Sequence, residues 1–104
     1  MASITDEDVE RVRALVAAIP AGRVATYGDL ADVAGLSSPR IVGWIMRTDS
    51  SDLPWHRVIS VSGTPATHLR TRQLEQLRAE GVPIKNGRVQ MRATRLSDAE
   101  LSAI

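Results

Sequence analysis

The chain has 104 residues, 13 Lys and Arg against 12 Asp and Glu, and a formal net charge of +1. This length predicts one small domain over residues 1–104, with a core over about 5–91 and a tail over 92–104. The absence of cysteine excludes disulfides, thiolate catalysis and cysteine-based zinc sites. We therefore expect no metal and no cofactor.

Two further features of the sequence suggest where the protein works. No apolar run approaches the roughly 18 residues of a membrane span. The N-terminal residues 1–7 lack the basic start and apolar stretch of a secretory signal. We expect no membrane association and a cytoplasmic location, associated with the nucleoid if the source is prokaryotic.

The first predicted element is a helix that begins after Thr5. Thr5 and Asp8 have the spacing of a capping box, although the acid is Asp instead of the usual Glu. Apolar residues at helical spacing then continue as far as Pro20, which stops the helix. A short extended piece over 23–25 is expected to follow.

Two shorter helices are predicted next, and they are joined by a tight turn. Thr26, with Asp29 three residues later, begins one helix, and Gly35 ends it. A serine at 37 or 38 caps the other helix, which has Pro39 at its first position and runs to about residue 47.

This helix pair has the residue types of a helix-turn-helix. Ala31 is small where the helices cross, Gly35 suits the left-handed turn position, and Ile41 and Trp44 would pack the second helix onto the first. Trp44 is therefore expected in the core or at the helix margin. Any two packed helices joined by glycine look similar, but we favour the DNA-binding interpretation. The residues expected to face DNA are Ser38, Pro39, Arg40 and Gly43.

In the second half of the chain, the sequence predicts a short β-hairpin that would serve as a wing. The predicted fold is therefore mainly α with a short β-hairpin, a winged helix-turn-helix. Leu74 and Leu77 are expected to be buried in its helix. The elements are a β-rich run over 57–61, a last helix over 69–81, a hairpin over 82–91 around Asn86-Gly87, and a frayed turn or disordered tail over 96–104.

Basic residues form two clusters despite the small net charge. Residues 36–72 contain five arginines and two aspartates, and residues 83–95 contain four basic residues and no acid. Most such clusters are solvated faces, so charge alone does not favour nucleic-acid binding.

Four motifs in order carry a family resemblance over about residues 9–91. They are Ile19 to Ala31 (IPAGRVATYGDLA), Pro39 to Arg47 (PRIVGWIMR), Pro54 to Val58 (PWHRV) and Ala79 to Gly81 (AEG). The chain resembles the DNA-binding domain of the O6-alkylguanine-DNA alkyltransferases, whose third motif has Cys where Trp55 stands here. The indole nitrogen of Trp55 can donate a hydrogen bond but cannot attack an alkyl group. The substitution resembles the alkyltransferase-like proteins, which bind the damaged base without dealkylating it.

The resemblance implies how the base would be held. Tyr27 would help to rotate the phosphate or contact the flipped base, and Arg40 would enter the minor groove and fill the vacated space. Trp55 would form a wall of the lesion pocket, and Val58 would offer its backbone to the base edge. The competing interpretations are a phosphate contact for Arg40 and core positions for Tyr27 and Trp55.

The loop over 62–71 would close the lesion pocket. It is shorter than the Gly-rich loop of the family, and the resemblance implies a lesion-sensing arginine in it. Arg70 is the candidate, with Arg72 and His68 behind it. A solvated Arg70 that opens the last helix is the alternative.

The remaining motif residues would be remnants of the family's catalytic network, kept for structure. They are Asp49, His56, Arg57 and Glu80.

The resulting hypothesis is a monomeric, non-enzymatic DNA damage sensor. It would bind O6-alkylguanine in duplex DNA, flip the base into a pocket and flag it for nucleotide excision repair, with repair proteins as partners. The alternative is a winged-helix regulator that reads sequence without lesion specificity, which leaves Pro54 to Val58 unexplained. An active alkyltransferase would need an alkyl acceptor other than Cys.

Overall fold

The computed structural model describes residues 4–104, and its first half contains the predicted helix-turn-helix. Both capping boxes and the serine cap, at Ser38, are present, and Gly35 ends the second helix in the left-handed conformation at φ 74°. The structure thus confirms these predictions. They could be made from the sequence because each depends on contacts within one turn of helix. The elements are α1 (Asp6–Ala18), β1 (Ala25–Thr26), α2 (Tyr27–Ala34) and α3 (Pro39–Thr48).

The second half contains the predicted wing together with two further helices. The predicted strand over 57–61 is shorter than expected, because Trp55–Arg57 form a 3-10 turn that turns Arg57 toward Glu80. The elements are β2 (Val58–Ile59), a 3-10 turn at Thr67–Leu69, α4 (Arg70–Ala79), β3 (Ile84–Lys85), β4 (Arg88–Val89), α5 (Met91–Thr94) and α6 (Asp98–Ala103).

The chain forms two small sheets, and the first of them connects these halves. β1 pairs in parallel with β2, with Ala25 opposite Val58, so the segment after Pro54 lies beside the start of α2. β3 and β4 form the predicted antiparallel hairpin. Asn86 and Gly87 both have positive φ, 54° and 72°, as a type I′ turn requires.

Trp44 is not in the core or at a packed helix margin, so that prediction is wrong. Its side chain is 45% exposed, whereas Val42 and Ile45 are fully buried. The buried stripe of α3 follows Val42 and Ile45, with Ile41 half-buried beside it, and Trp44 falls about 100° beyond Ile45 on the helix surface.

The C-terminal segment is part of the core, which corrects the predicted tail over 92–104. Leu96 and Leu101 are buried in the same cluster as α1, α2 and α3. α6 begins with a capping box between Ser97 and Glu100, a local signal that the sequence carried. Leu96 and Leu101 become buried only because the chain returns to α2, and a periodicity test over so short a segment does not detect that.

The expectation about an N-terminal signal covers residues 1–7, of which 1–3 lie outside the described residues. Within 4–104, no helix combines the length and the apolar character that a membrane crossing needs.

Candidate nucleic-acid interface

A cleft of about 700 Å³ opens between α3, the start of α2 and the segment that leads into α4. Three of the four residues predicted for a lesion pocket line it: Tyr27, Trp55 and Val58. Arg47, His68 and Arg72 also line it. Among residues 4–104, no Asp or Glu lines the cleft. The cleft is therefore suited to an aromatic ligand attached to negative charge.

Tyr27 is positioned by the cap of α2. It occupies the first helical position after Thr26, whose hydroxyl accepts a hydrogen bond from the Asp29 N–H at 3.0 Å. Burial raises the pKa of Tyr27, partly offset by the nearby Arg47. The phenol is therefore protonated at neutral pH and is available as a hydrogen-bond donor.

Trp55 lies half-buried in the cleft wall with a cation over its ring. The Arg72 Cζ atom is 5.5 Å from the ring centroid, within the range of a cation–π contact. The His56 ring meets Trp55 edge-on, with centroids 6.1 Å apart and an interplanar angle of 88°. One face of the indole is thus covered by a guanidinium that itself lines the cleft.

Arg70 does not line the cleft, which corrects its predicted place in the lesion pocket. Its guanidinium lies against Gly87 of the hairpin turn, in the space that a β-carbon at Gly87 would need. Arg70 and Arg72 are two residues apart at the start of α4, so their side chains project about 160° apart, on nearly opposite sides of the helix. The two alternative candidates, His68 and Arg72, both line the cleft.

The backbone of Val58, which was expected to face the base edge, already makes two hydrogen bonds within the protein. Its N–H donates to the Trp55 carbonyl, and its carbonyl accepts from the Gln73 side chain at 2.9 Å. The 3-10 turn uses the N–H and Gln73 uses the carbonyl, so a base would meet two backbone groups that are already hydrogen-bonded.

Gln73 is a site residue that the sequence reasoning missed. It is 3% exposed, and its amide nitrogen donates to the carbonyls of His56 and Val58 at 3.0 and 2.9 Å. The available signal was its spacing, four residues before the buried Leu77 on the packed face of α4. Gln73 joins α4 to the turn that carries Trp55.

His56, Arg57 and Glu80 form a hydrogen-bonded cluster behind the cleft. The Arg57 guanidinium donates to Glu80 from Nε at 3.0 Å and from Nη2 at 2.5 Å, and its Nη1 donates to the Ile19 carbonyl at 2.8 Å. His56 Nε2 donates to Glu80 at 2.9 Å. Hydrogen bonds from Arg57, with a further one from His56, lower the pKa of Glu80 to about 2. The cluster ties α4 to the Trp55 turn.

Asp49, the fourth predicted remnant, lies apart from this cluster. It ends α3, and its backbone carbonyl accepts a hydrogen bond from Arg13 of α1 at 2.7 Å. Asp49 therefore braces α3 against α1 and has no contact with His56 or Glu80 among the described hydrogen bonds.

The predicted DNA-facing residues lie on α3. Ser38 caps the helix by accepting from the Arg40 N–H at 3.1 Å, and Pro39 occupies the first position. Arg40 is exposed, and Gly43 lines the cleft. The start of α3 thus presents a cation and small side chains next to the cleft.

The residues of this site lie within a segment that matches a known protein family. Residues 8–82 match the family described as the DNA-binding domain of 6-O-methylguanine DNA methyltransferase. The chain belongs to this family. The predicted family resemblance is confirmed.

Two curated relatives are similar over most of the chain. One is a DNA base-flipping protein of Escherichia coli, 45% identical over 76% of this chain and 65% of the relative. The other is alkyltransferase-like protein 1 of Schizosaccharomyces pombe, 38% identical over 76% of this chain and 80% of the relative. The chain thus spans just under two thirds of the Escherichia coli protein.

A solved structure agrees with the fold. The Schizosaccharomyces pombe Atl1 protein, in complex with damaged DNA containing O6-carboxymethylguanine, superposes with a TM-score of 0.80 and 31% identity. The match covers 89% of this chain and 97% of that chain. The predicted fold class, a mainly helical domain with a small sheet, is confirmed.

Proposed function

We propose that this protein is a non-enzymatic sensor that binds O6-alkylguanine in duplex DNA. The observation that carries the proposal is the cleft itself, in which Tyr27 and Trp55 share a wall beside the exposed N-terminus of α3. Relatives named for base flipping and a similar protein solved on damaged DNA support it.

The proposed mechanism begins with α3 in the minor groove. Arg40 fills the space left by the flipped nucleotide, because a guanidinium can stack on bases while it hydrogen-bonds the orphaned partner. Flipping a nucleotide out of the duplex costs a few kcal/mol, and the cost is lowest for a mispaired, damaged base. The protein therefore captures a damaged base more readily than an undamaged one.

The flipped base enters the cleft and contacts Trp55 and Tyr27. An aromatic contact with the base is worth about 1 to 3 kcal/mol. The Arg72 guanidinium over the indole must move aside or stack on the incoming base. Arg47 and Arg72 give the wall its positive charge, which attracts the phosphate of the extruded nucleotide.

We propose that Trp55 replaces the alkyl-acceptor Cys of the family, so that binding ends without transfer. The chain contains no cysteine, and the cluster of His56, Arg57 and Glu80 has no thiol to activate. Holding the lesion without repairing it implies a further step, and we propose that a monomer with the flipped base marks the site for nucleotide excision repair.

Alanine variants test the flipping mechanism. Arg40→Ala, Tyr27→Ala and Trp55→Ala should each weaken binding to a duplex with one O6-methylguanine about tenfold, with smaller losses on the matched undamaged duplex. Arg88→Ala, an exposed charge on the hairpin, is the control. Wild-type lesion affinity in all three variants would refute the mechanism. Equal losses on both duplexes would favour the sequence-reading regulator.

The absence of transfer is tested by restoring the thiol. Trp55→Cys should show little or no methyl transfer, because the loop over 62–71 is short and the cleft is shaped around an indole. The measurement follows methyl label moving from an oligonucleotide to the protein. Brisk transfer would contradict the proposal that this site is adapted to binding alone.

A further inference from the structure

Trp44 is the largest exposed apolar side chain among residues 4–104. It is 45% exposed, and it is not a member of either core cluster. An indole left in water forgoes the stabilisation that burial would give it. Single exposed apolar residues are common, so Trp44 is informative only together with its neighbours.

Its neighbours on α3 are two arginines on the same face. Arg40 precedes Trp44 by four residues and Arg47 follows it by three, so the three side chains project within an arc of about 60°. Arg40 and Arg47 are both exposed, and α3 contains no acidic residue. The face is therefore an indole between two guanidinium groups.

This pattern fits one occupant, duplex DNA. Guanidinium groups pair with phosphates along the backbone, and an indole between them meets the apolar sugars and base edges that lie inside the phosphate lines. A second copy of this chain fits poorly, because joining two such faces would bring four arginines together without a carboxylate on α3 to pair with them.

We infer that Trp44 is a direct DNA-contact residue, which packs against sugar and base edges in the groove that receives α3. The inference rests on the proposed function only in that the ligand is duplex DNA. It needs no lesion, because Trp44 lies outside the cleft lining. It adds a contact to undamaged and damaged duplexes alike.

Fluorescence from two variants, each with a single tryptophan, distinguishes the Trp44 contact from lesion capture. In Trp55→Phe the emission comes from Trp44, and it should change when either an undamaged or an O6-methylguanine duplex is added. In Trp44→Phe the emission comes from Trp55, and it should change with the lesion duplex only. Trp44 emission that stays constant with saturating undamaged duplex overturns the inference. A silent Trp55 overturns the lesion proposal and leaves the Trp44 result standing.

Affinity provides the second readout. Trp44→Ala should weaken binding to both duplexes by the same factor, roughly fivefold or more, with an unchanged melting temperature because Trp44 is outside the core. Ile104→Ala, which also truncates an exposed apolar side chain, is the matched control and should bind as the wild type does. Unchanged affinity in Trp44→Ala, or a loss confined to the lesion duplex, contradicts the inference. So does a dimer that Trp44→Ala abolishes while DNA affinity is kept.

Discussion

One arginine of α4 lies over the indole ring of Trp55, and the pitch of the helix decides which one. Arg72 lies 5.5 Å from the ring centroid, whereas Arg70 lies against Gly87. Both carry the same charge and belong to the first turn of the same helix. Arg72 therefore places its charge in the cleft, whereas Arg70 places the same charge on the protein surface outside it.

Arg72→Ala should reduce the preference for lesion duplex over undamaged duplex. The variant loses the cation next to the incoming base and leaves the indole face open, with an expected effect of about three- to tenfold on lesion affinity. Titration of labelled duplexes measures it. Arg70→Ala removes the same charge outside the cleft and serves as the control. Equal effects in the two variants would contradict the assignment of Arg72 to the site.

Glu80 gives the fold a pH dependence at the residue scale. Its pKa falls from a usual value near 4.5 to about 2 in the folded chain, mainly through Arg57. Because the folded pKa is depressed, this stabilisation is complete above about pH 4.5 and is lost as the pH falls from there toward 2.

Glu80→Gln should lower the free energy of unfolding at pH 7 by roughly 1 to 3 kcal/mol, because it breaks charge-assisted hydrogen bonds to Arg57. The gap between variant and wild type should shrink as the pH falls below about 4.5. Urea unfolding at a series of pH values measures this gap. Glu75→Gln, an exposed acid on the same helix, is the control. A gap that is constant down to pH 3 would refute the account of Glu80.

At the scale of elements, α6 shows how a short segment can complete a core. Arg95, just before it, donates to both Asp29 oxygens at 2.9 and 2.8 Å, and Arg23 donates to Glu100. Burial works to raise the pKa of Asp29, but hydrogen bonds from Arg95 and from the Thr26 N–H prevail and lower it. α6 is thus fastened to the same capping box that positions Tyr27.

Leu101→Ala should destabilise the protein by about 2 to 5 kcal/mol, because it leaves a cavity in the cluster shared with α2. Ile104→Ala, at the exposed end of the same segment, should change stability by less than about 0.5 kcal/mol. Thermal unfolding of both variants makes the comparison. Comparable small changes would mean that the segment contributes little to the core.

How much of an element the sequence predicts depends on the range of its contacts. The capping boxes at Thr5 and Thr26 and the turn at Asn86 were predictable because each involves residues within a few positions. The burial of Leu101 and the exposure of Trp44 were not, because both depend on where a whole helix packs.

At the scale of the molecule, the cleft joins segments that are distant in the chain. The motifs predicted Tyr27 and Trp55, but the Gln73 hydrogen bonds and the choice of Arg72 over Arg70 require the relative position of α4 and the Trp55 turn. The parallel pairing of β1 with β2 and the Glu80 cluster set that position. The fold thus holds an aromatic cleft beside the exposed face of α3.

The most direct test of lesion binding uses two duplexes that differ only in one methyl group on guanine O6. The wild-type chain should bind the modified duplex at least tenfold more tightly, with a change in Trp55 emission in the Trp44→Phe background that the unmodified duplex does not produce. Equal affinity for both duplexes, with no difference in Trp55 emission, would contradict the account.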